Sequence, residues 1–135
     1  MALESVAEST AGAGDYRFGL GRAADGALTV EPGRVLAAVV RDLRAGETVA
    51  GIAARFHSAT ADVVVALARL VRESPDHGRG LNTVALGGGV FQNARLLREC
   101  LRGLTADGFD VLVPRRVPPN DGGIALGQVL VAGAR

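Results

Sequence analysis

The chain has 135 residues, of which 48% are hydrophobic and 21% charged, a composition typical of one globular domain or a large part of one. Its 15 basic residues, all arginine, nearly balance 14 acidic residues, and the net charge of +1 gives no reason to expect a nucleic-acid partner. The single cysteine excludes an internal disulfide, and no uninterrupted apolar run approaches the roughly 18 residues of a membrane span. We therefore expect a cytoplasmic location and no membrane partner.

The first part of the chain predicts a short hairpin behind an unstructured leader. Residues 1–14 are rich in Ala, Ser, Gly and Glu without a clear period, which favours a disordered lead-in. Residues 16–20 and 27–30 are strand candidates, and the GRAADG stretch between them is typical of a hairpin loop.

Two helices are predicted next. Pro32 and Gly33 favour a helix start, and Gly46 is placed to end that helix. Thr48 can cap a second amphipathic helix that runs to about Glu73. His57 lies on this second helix, where a partly exposed side chain is more common than a ligand. The apolar face predicted for the first helix comprises Leu36, Val39, Val40 and Leu43.

The stretch around which the chain is organised follows. Residues 83–86 predict a buried strand that leads directly into Gly87, Gly88 and Gly89, with helical spacing from Val90 onward. Glycines without Cβ atoms let a ligand approach the backbone, and a helix start adds unpaired N–H groups, so the turn suits a phosphate or another anion. A simple tight turn is the alternative. Gln92 stands where a dinucleotide fingerprint needs a glycine, and no Walker lysine is present.

The last part of the chain predicts a third helix with Cys100 on its apolar face, a strand over residues 109–113 and a final helix from Ile124 that is apolar nearly all round. That apolar surface suggests packing on several sides. The complete order is ββααβαβα, an α/β class, with a parallel pair formed by the third and fourth strands.

The PPNDGG loop, residues 118–123, follows the fourth strand as the glycines follow the third. Because ligands of such sheets bind beyond the carboxyl ends of the strands, both loops should face one crevice. Asp121 either caps the last helix or holds a metal or phosphate across that crevice. His77 lies in a Pro/Gly loop without neighbours at ligand spacing, so a metal role for it is improbable.

Three strings carry a resemblance to a known family: VALGGGVFQN, PRRVPPNDGGIALGQ and AARFHSATA. They resemble the C-terminal part of the hydrogenase maturation carbamoyltransferase family, HypF, in that family's order and spacing. With YRFGL they cover about residues 15–135. The resemblance implies one nucleotide-facing lobe of an actin/Hsp70/sugar-kinase-like fold.

The resemblance also implies a function. Such proteins make carbamoyladenylate from carbamoyl phosphate and ATP and transfer the carbamoyl group to the terminal cysteine of a HypE-type partner, for the cyanide ligands of nickel–iron hydrogenase. By position, Gly87, Gly88, Gly89 and Asn93 match the turn that holds the adenylate. Asp121 matches a ligand of a divalent metal, iron or zinc, with Gly122 and Gly123 beside it.

Two differences from the family limit which residue roles the resemblance implies for this chain. Gly87 replaces the usual serine, and the histidine pair of the family's metal site belongs to an N-terminal lobe, absent here like the adenylate-forming domain. We expect a fragment, a separate lobe or a truncated product that is inactive alone and could self-associate through its exposed crevice wall. The alternative is a non-catalytic nucleotide-binding or interaction module that kept the fold.

Overall fold

A computed structural model describes residues 16–74, 80–116, 118 and 120–134. The predicted order ββααβαβα is confirmed, with two short 3-10 turns added. The predicted lead-in over residues 1–14 and His77 lie outside the described residues. The elements are β1 (Gly19–Arg22), β2 (Leu28–Glu31), α1 (Gly33–Arg44), α2 (Val49–Glu73), β3 (Thr83–Ala85), a 3-10 turn (Gly89–Gln92), α3 (Ala94–Ala106), β4 (Asp110–Leu112), a second 3-10 turn (Asp121–Gly123) and α4 (Ile124–Gly133).

The hairpin pairs β1 and β2 in antiparallel register, with Gly19 opposite Glu31. β1 begins three residues later than predicted, because Tyr16 lies in the core instead of on the sheet. Its ring is 3% exposed and its hydroxyl donates a 2.9 Å hydrogen bond to Asp42 of α1. The hairpin is thereby anchored on α1 through a buried polar contact.

The face that α1 buries differs from the predicted one. Asp42 is buried, and its carboxylate binds both Tyr16 and, at 3.0 Å, the guanidinium of Arg55 on α2. Because the Asp42 carboxylate points into the core, the face of α1 that is buried is rotated relative to the predicted apolar face. Of the predicted face, only Val39 packs against the core. The other three predicted positions, Leu36, Val40 and Leu43, are exposed.

α2 is the central helix of the fold. Its start is confirmed, since Thr48 Oγ1 accepts a 3.1 Å hydrogen bond from the Gly51 N–H. Ile52 and Ala59 belong to the core cluster shared with α1, whereas Ala61 and Val65 belong to the cluster shared with α3. By length and composition alone α2 could cross a membrane, but a core helix passes the same test. Its position between two apolar clusters identifies it as the core helix here.

The packing of α2 on α3 holds the second half of the chain. Cys100 and Leu104 of α3 are fully buried, and Gly103 lies directly against Val65. At the end of this contact Arg72 stacks 4.0 Å over the ring of Phe109. These contacts fix the second half of α3 on α2.

Strands β3 and β4 form the predicted parallel pair, in which Thr83 is opposite Asp110 and Ala85 opposite Leu112. The predicted burial of β3 is wrong, because Thr83 and Ala85 are exposed at the face that this two-stranded sheet leaves uncovered. Helix α3 connects them, so their carboxyl ends reach the same edge. Beyond the ladder, the Leu86 N–H donates a 2.9 Å hydrogen bond to the Leu112 carbonyl. This bond fixes the point at which the chain leaves β3 for the glycines.

The prediction for α4 is wrong as regards packing. Each of its residues is exposed to solvent, including Val129 and Leu130 at 68% and 65%. Within the described part of the chain, nothing covers this apolar helix. Its composition therefore indicates a surface that another element or molecule could cover.

Candidate functional site

The two predicted loops meet at the carboxyl edge of the β3–β4 pair. We call Gly87–Gly89 the glycine turn and residues 118–123, of which Pro119 is not described, the acidic loop. A methyl group placed on Gly89 would lie 3.9 Å from Cβ of Asn120 in the acidic loop, which is ordinary van der Waals contact. The prediction that the two loops meet at one sheet edge is confirmed, whereas the ligand crevice between them stays a prediction.

The glycine turn exposes its backbone to approach. Gly88 has a backbone φ of 95° and ψ of 162°, a conformation that residues other than glycine rarely adopt. A Cβ atom added to Gly87 or Gly88 would meet no described atom within 4 Å. An anionic ligand can therefore come close to the main chain of this turn without displacing a side chain.

The helix that follows does not start at Val90 as predicted. Gly89–Gln92 forms a 3-10 turn, in which the Phe91 N–H bonds the Gly88 carbonyl at 3.2 Å, and α3 begins only at Ala94. The reason is Asn93, whose extended backbone and side-chain oxygen form the N-cap of α3. The α-helix dipole thus lies beyond the glycine turn, and the case for anion binding depends on the backbone of the turn itself.

Asn93 has two partners within the protein. Its Oδ1 accepts a 2.8 Å hydrogen bond from the Leu96 N–H, and its Nδ2 lies 2.8 Å from Nε2 of His57. The side chain is therefore committed to holding the turn against α2. Contact between Asn93 and a nucleotide stays a prediction.

The expectation of a surface position for His57 is wrong. The residue is 6% exposed, and its two ring nitrogens face the Ala53 carbonyl and the Asn93 amide. The amphipathic pattern misplaced it because a histidine with both nitrogens satisfied can be buried at low cost. No local signal in the sequence pairs positions 57 and 93, which are 36 residues apart.

Asp121 is exposed and opens the second 3-10 turn. The simpler alternative, in which it caps the last helix, is wrong, because the cap of this turn is Asn120, whose Oδ1 accepts a 3.0 Å hydrogen bond from the Gly122 N–H. Helix α4 itself follows Gly123 without a side-chain cap. Sequence reasoning overlooked Asn120, although Asn two residues before Gly is a usual turn signal.

The described residues do not make a complete metal site. Across residues 16–74, 80–116, 118 and 120–134, no three His, Cys, Asp or Glu side chains come together as a metal would need. Asp121 is one carboxylate at the crevice, and His57 points into the α2–α3 interface instead. A metal role for Asp121 requires ligands from elsewhere and stays a prediction.

Cys100 is confirmed as a core residue. It is fully buried on α3 between α2 and the sheet, and burial raises the pKa of its thiol to about 11. A thiol of this kind is protonated near neutral pH and unreactive. It is therefore unsuited to carry a transferred group.

Comparison with known proteins gives consistent matches. Residues 1–128 match the family model described as carbamoyltransferase, Kae1-like domain, second subdomain. The carbamoyltransferase HypF of Synechocystis is 40% identical over 79 residues, covering 58% of this chain and 9% of the relative. A HypF homolog from Cupriavidus necator is 43% identical over 97 residues, covering 72% of this chain and 23% of the relative.

Two solved structures have the same fold. Full-length HypF in its phosphate- and nucleotide-bound form superposes with a TM-score of 0.81 at 33% identity, over 96% of this chain and 16% of that protein. HypF of T. kodakarensis gives a TM-score of 0.69 at 26% identity, over 97% of this chain and 16% of that protein. The chain thus spans less than a quarter of the length of each relative described.

Proposed function

Because the chain belongs to the HypF carbamoyltransferase family, as the second subdomain of its Kae1-like domain, we propose that it supplies the nucleotide-facing half of a carbamoyl-transfer site. The matches confirm both the resemblance seen in the sequence and the fold class, an α/β lobe of the actin/Hsp70/sugar-kinase-like type. The remaining steps of the proposal concern ligands and partners.

The observation that carries the proposal is the meeting of the glycine turn and the acidic loop at one sheet edge. A Cβ atom added to Gly89 would be in contact range of Asn120, so the two loops are close enough for a ligand on the open backbone of Gly87 and Gly88 to extend toward Asp121 and Gly122. The phosphate- and nucleotide-bound state of a solved relative favours a nucleotide as that ligand. We assign ATP or carbamoyladenylate to this crevice, with its phosphate or ribose side on the glycine turn.

The reaction itself needs more than these residues. A carbamoyl group moving from the adenylate to the terminal cysteine of a HypE-type acceptor requires a site that excludes water, and this crevice has one wall in the described chain. Asp121 would be one ligand of a divalent metal, the others coming from an N-terminal lobe. We therefore expect the chain to bind nucleotide weakly by itself and to transfer only together with that lobe.

The nucleotide assignment is tested with Gly88→Val and the control Gly26→Val. Both glycines have positive φ, 95° and 85°, and a Cβ added to either would meet no described atom within 4 Å, so both substitutions strain the backbone without a side-chain clash. Gly26 lies in the β1–β2 hairpin loop, away from the crevice. Titration calorimetry with ATP should show binding by the parent and Gly26→Val and none by Gly88→Val. Equal affinity in all three proteins would contradict the assignment.

A further inference from the structure

His57 and Asn93 form a continuous hydrogen-bond chain between α2 and α3. His57 Nδ1 lies 2.8 Å from the Ala53 carbonyl, His57 Nε2 lies 2.8 Å from Asn93 Nδ2, and Asn93 Oδ1 lies 2.8 Å from the Leu96 amide nitrogen. His57 is 6% exposed, so water does not compete freely for these groups. All three contacts are at good hydrogen-bond distance.

The chemistry of the partners fixes the direction of each bond. The Ala53 carbonyl can only accept, so His57 Nδ1 carries the proton and donates it. Nε2 is then an unprotonated acceptor, which suits the amide N–H of Asn93. The remaining Asn93 oxygen accepts from the Leu96 N–H, so the amide has one orientation that satisfies both of its ends.

This chain of hydrogen bonds ends beside the glycine turn. Asn93 immediately follows the 3-10 turn, and its own N–H bonds the Val90 carbonyl at 3.1 Å. At the other end, the Leu86 N–H is bonded to the Leu112 carbonyl on β4. The glycine turn between these two anchors contributes no side chain that could hold it, so its conformation depends on them and on Phe91, which packs against the core cluster.

We propose that His57 is a positioning residue for the nucleotide, an inference that rests on the proposed function. By accepting from the Asn93 amide it fixes the carboxyl end of the glycine turn in the conformation that receives the ligand. Without that acceptor the half-buried Asn93 N–H loses its partner inside the protein, and the side chain turns to other partners. A smaller fraction of molecules then has the competent turn, and the apparent affinity falls by that fraction.

Two variants break the link from opposite ends. His57→Leu keeps a side chain of similar bulk on α2 but has no acceptor. Asn93→Ser keeps an N-cap for α3 and cannot reach His57. His57→Gln offers an amide oxygen in place of Nε2 and is the conservative rescue. The control is Thr60→Val, which removes a 2.8 Å hydrogen bond to the Phe56 carbonyl on the same helix without touching Asn93.

The measurement is the ATP dissociation constant by calorimetry, beside the urea midpoint of each protein. Loss of this part-buried hydrogen bond should weaken binding about tenfold in His57→Leu and Asn93→Ser, with the double variant no weaker than either. His57→Gln should recover most of the affinity. Thr60→Val should have the same ATP affinity as the parent.

Three outcomes would overturn the inference. Unchanged ATP affinity in His57→Leu and Asn93→Ser, with binding still abolished by Gly88→Val, would leave the proposed function standing and remove the positioning role. Weakened binding in Thr60→Val in proportion to its lost stability would show that His57 acts only through the fold. If the parent chain does not bind ATP at all, the proposed function fails and the inference fails with it.

Discussion

The contact between Gly103 and Val65 predicts the effect of adding a single methyl group. A Cβ atom at position 103 would lie 2.7 Å from Cγ2 of Val65, well inside normal contact. Val65 is 7% exposed and β-branched, so it has little freedom to turn away. The added methyl must therefore push α2 and α3 apart or force a strained rotamer.

Two opposing contributions set the magnitude. Replacing a helical glycine with alanine gains about 1 kcal/mol of helix propensity. Overpacking a filled core costs typically about 1–3 kcal/mol. The close approach places Gly103→Ala near the upper end of that cost, so we expect a net loss of about 1–2 kcal/mol in the free energy of unfolding.

The assay is urea unfolding followed by far-UV circular dichroism, with Val65→Ala as the matched background. Val65→Ala alone should destabilise by roughly 2 kcal/mol because it removes two buried methyl groups. In that background the clash is gone, so Gly103→Ala should become neutral or stabilising. If Gly103→Ala stabilises the parent, or if the two effects are additive, the described α2–α3 packing is wrong.

Two further predictions concern titratable groups on α3 and beside it. Cys100→Ala should cost roughly 1 kcal/mol or somewhat more through lost packing, and the thiol, with its pKa raised to about 11, should resist iodoacetamide until urea unfolds the chain; rapid labelling of the folded protein would contradict its burial. Hydrogen bonds from Arg69 lower the pKa of Asp107 below its usual 3.8. The stability that this ion pair contributes is therefore complete above about pH 3.8, and it is lost as the pH falls through the lowered pKa of Asp107. Between about pH 6 and about pH 2 the free energy of unfolding of the parent should therefore fall more steeply than that of Asp107→Asn, and equal slopes would show that the pair contributes nothing.

Local signals in the sequence predicted the order and type of the helices and strands well. The Thr48 cap, the length of α2 and the position of Cys100 follow from capping chemistry and a 3.6-residue period, which depend on near neighbours. The meeting of the glycine turn with the acidic loop was also predictable, because parallel strands joined by a helix bring their carboxyl ends to one edge.

Buried polar groups were not predictable in the same way. The face of α1 was misjudged because Asp42 turns inward to Tyr16 and Arg55, partners that lie 26 and 13 positions away along the chain. His57 was misjudged for the same reason, since its partner Asn93 is the N-cap of another helix. A hydrophobic period treats such residues as surface, and only the tertiary fold supplies their hydrogen bonds.

The exposed helix α4 shows a different limit. The apolar residues of α4 predict that this helix is covered, but none of the described residues covers it. The relatives are several times longer than this chain, and we propose that a segment of the kind they contain outside the matched part covers α4.

The central claim, that this chain is half of a transfer site, is tested most directly by the carbamoyl mass shift on an acceptor cysteine. The purified chain is mixed with synthetic carbamoyladenylate, a divalent metal and a HypE-type acceptor, with and without an N-terminal lobe from a HypF relative. We expect no adduct with the chain alone, transfer when the lobe is added, and loss of that transfer in Asp121→Ala. An adduct formed by the chain alone would contradict the half-site claim, and no adduct with an active lobe present would favour a non-catalytic nucleotide-binding module.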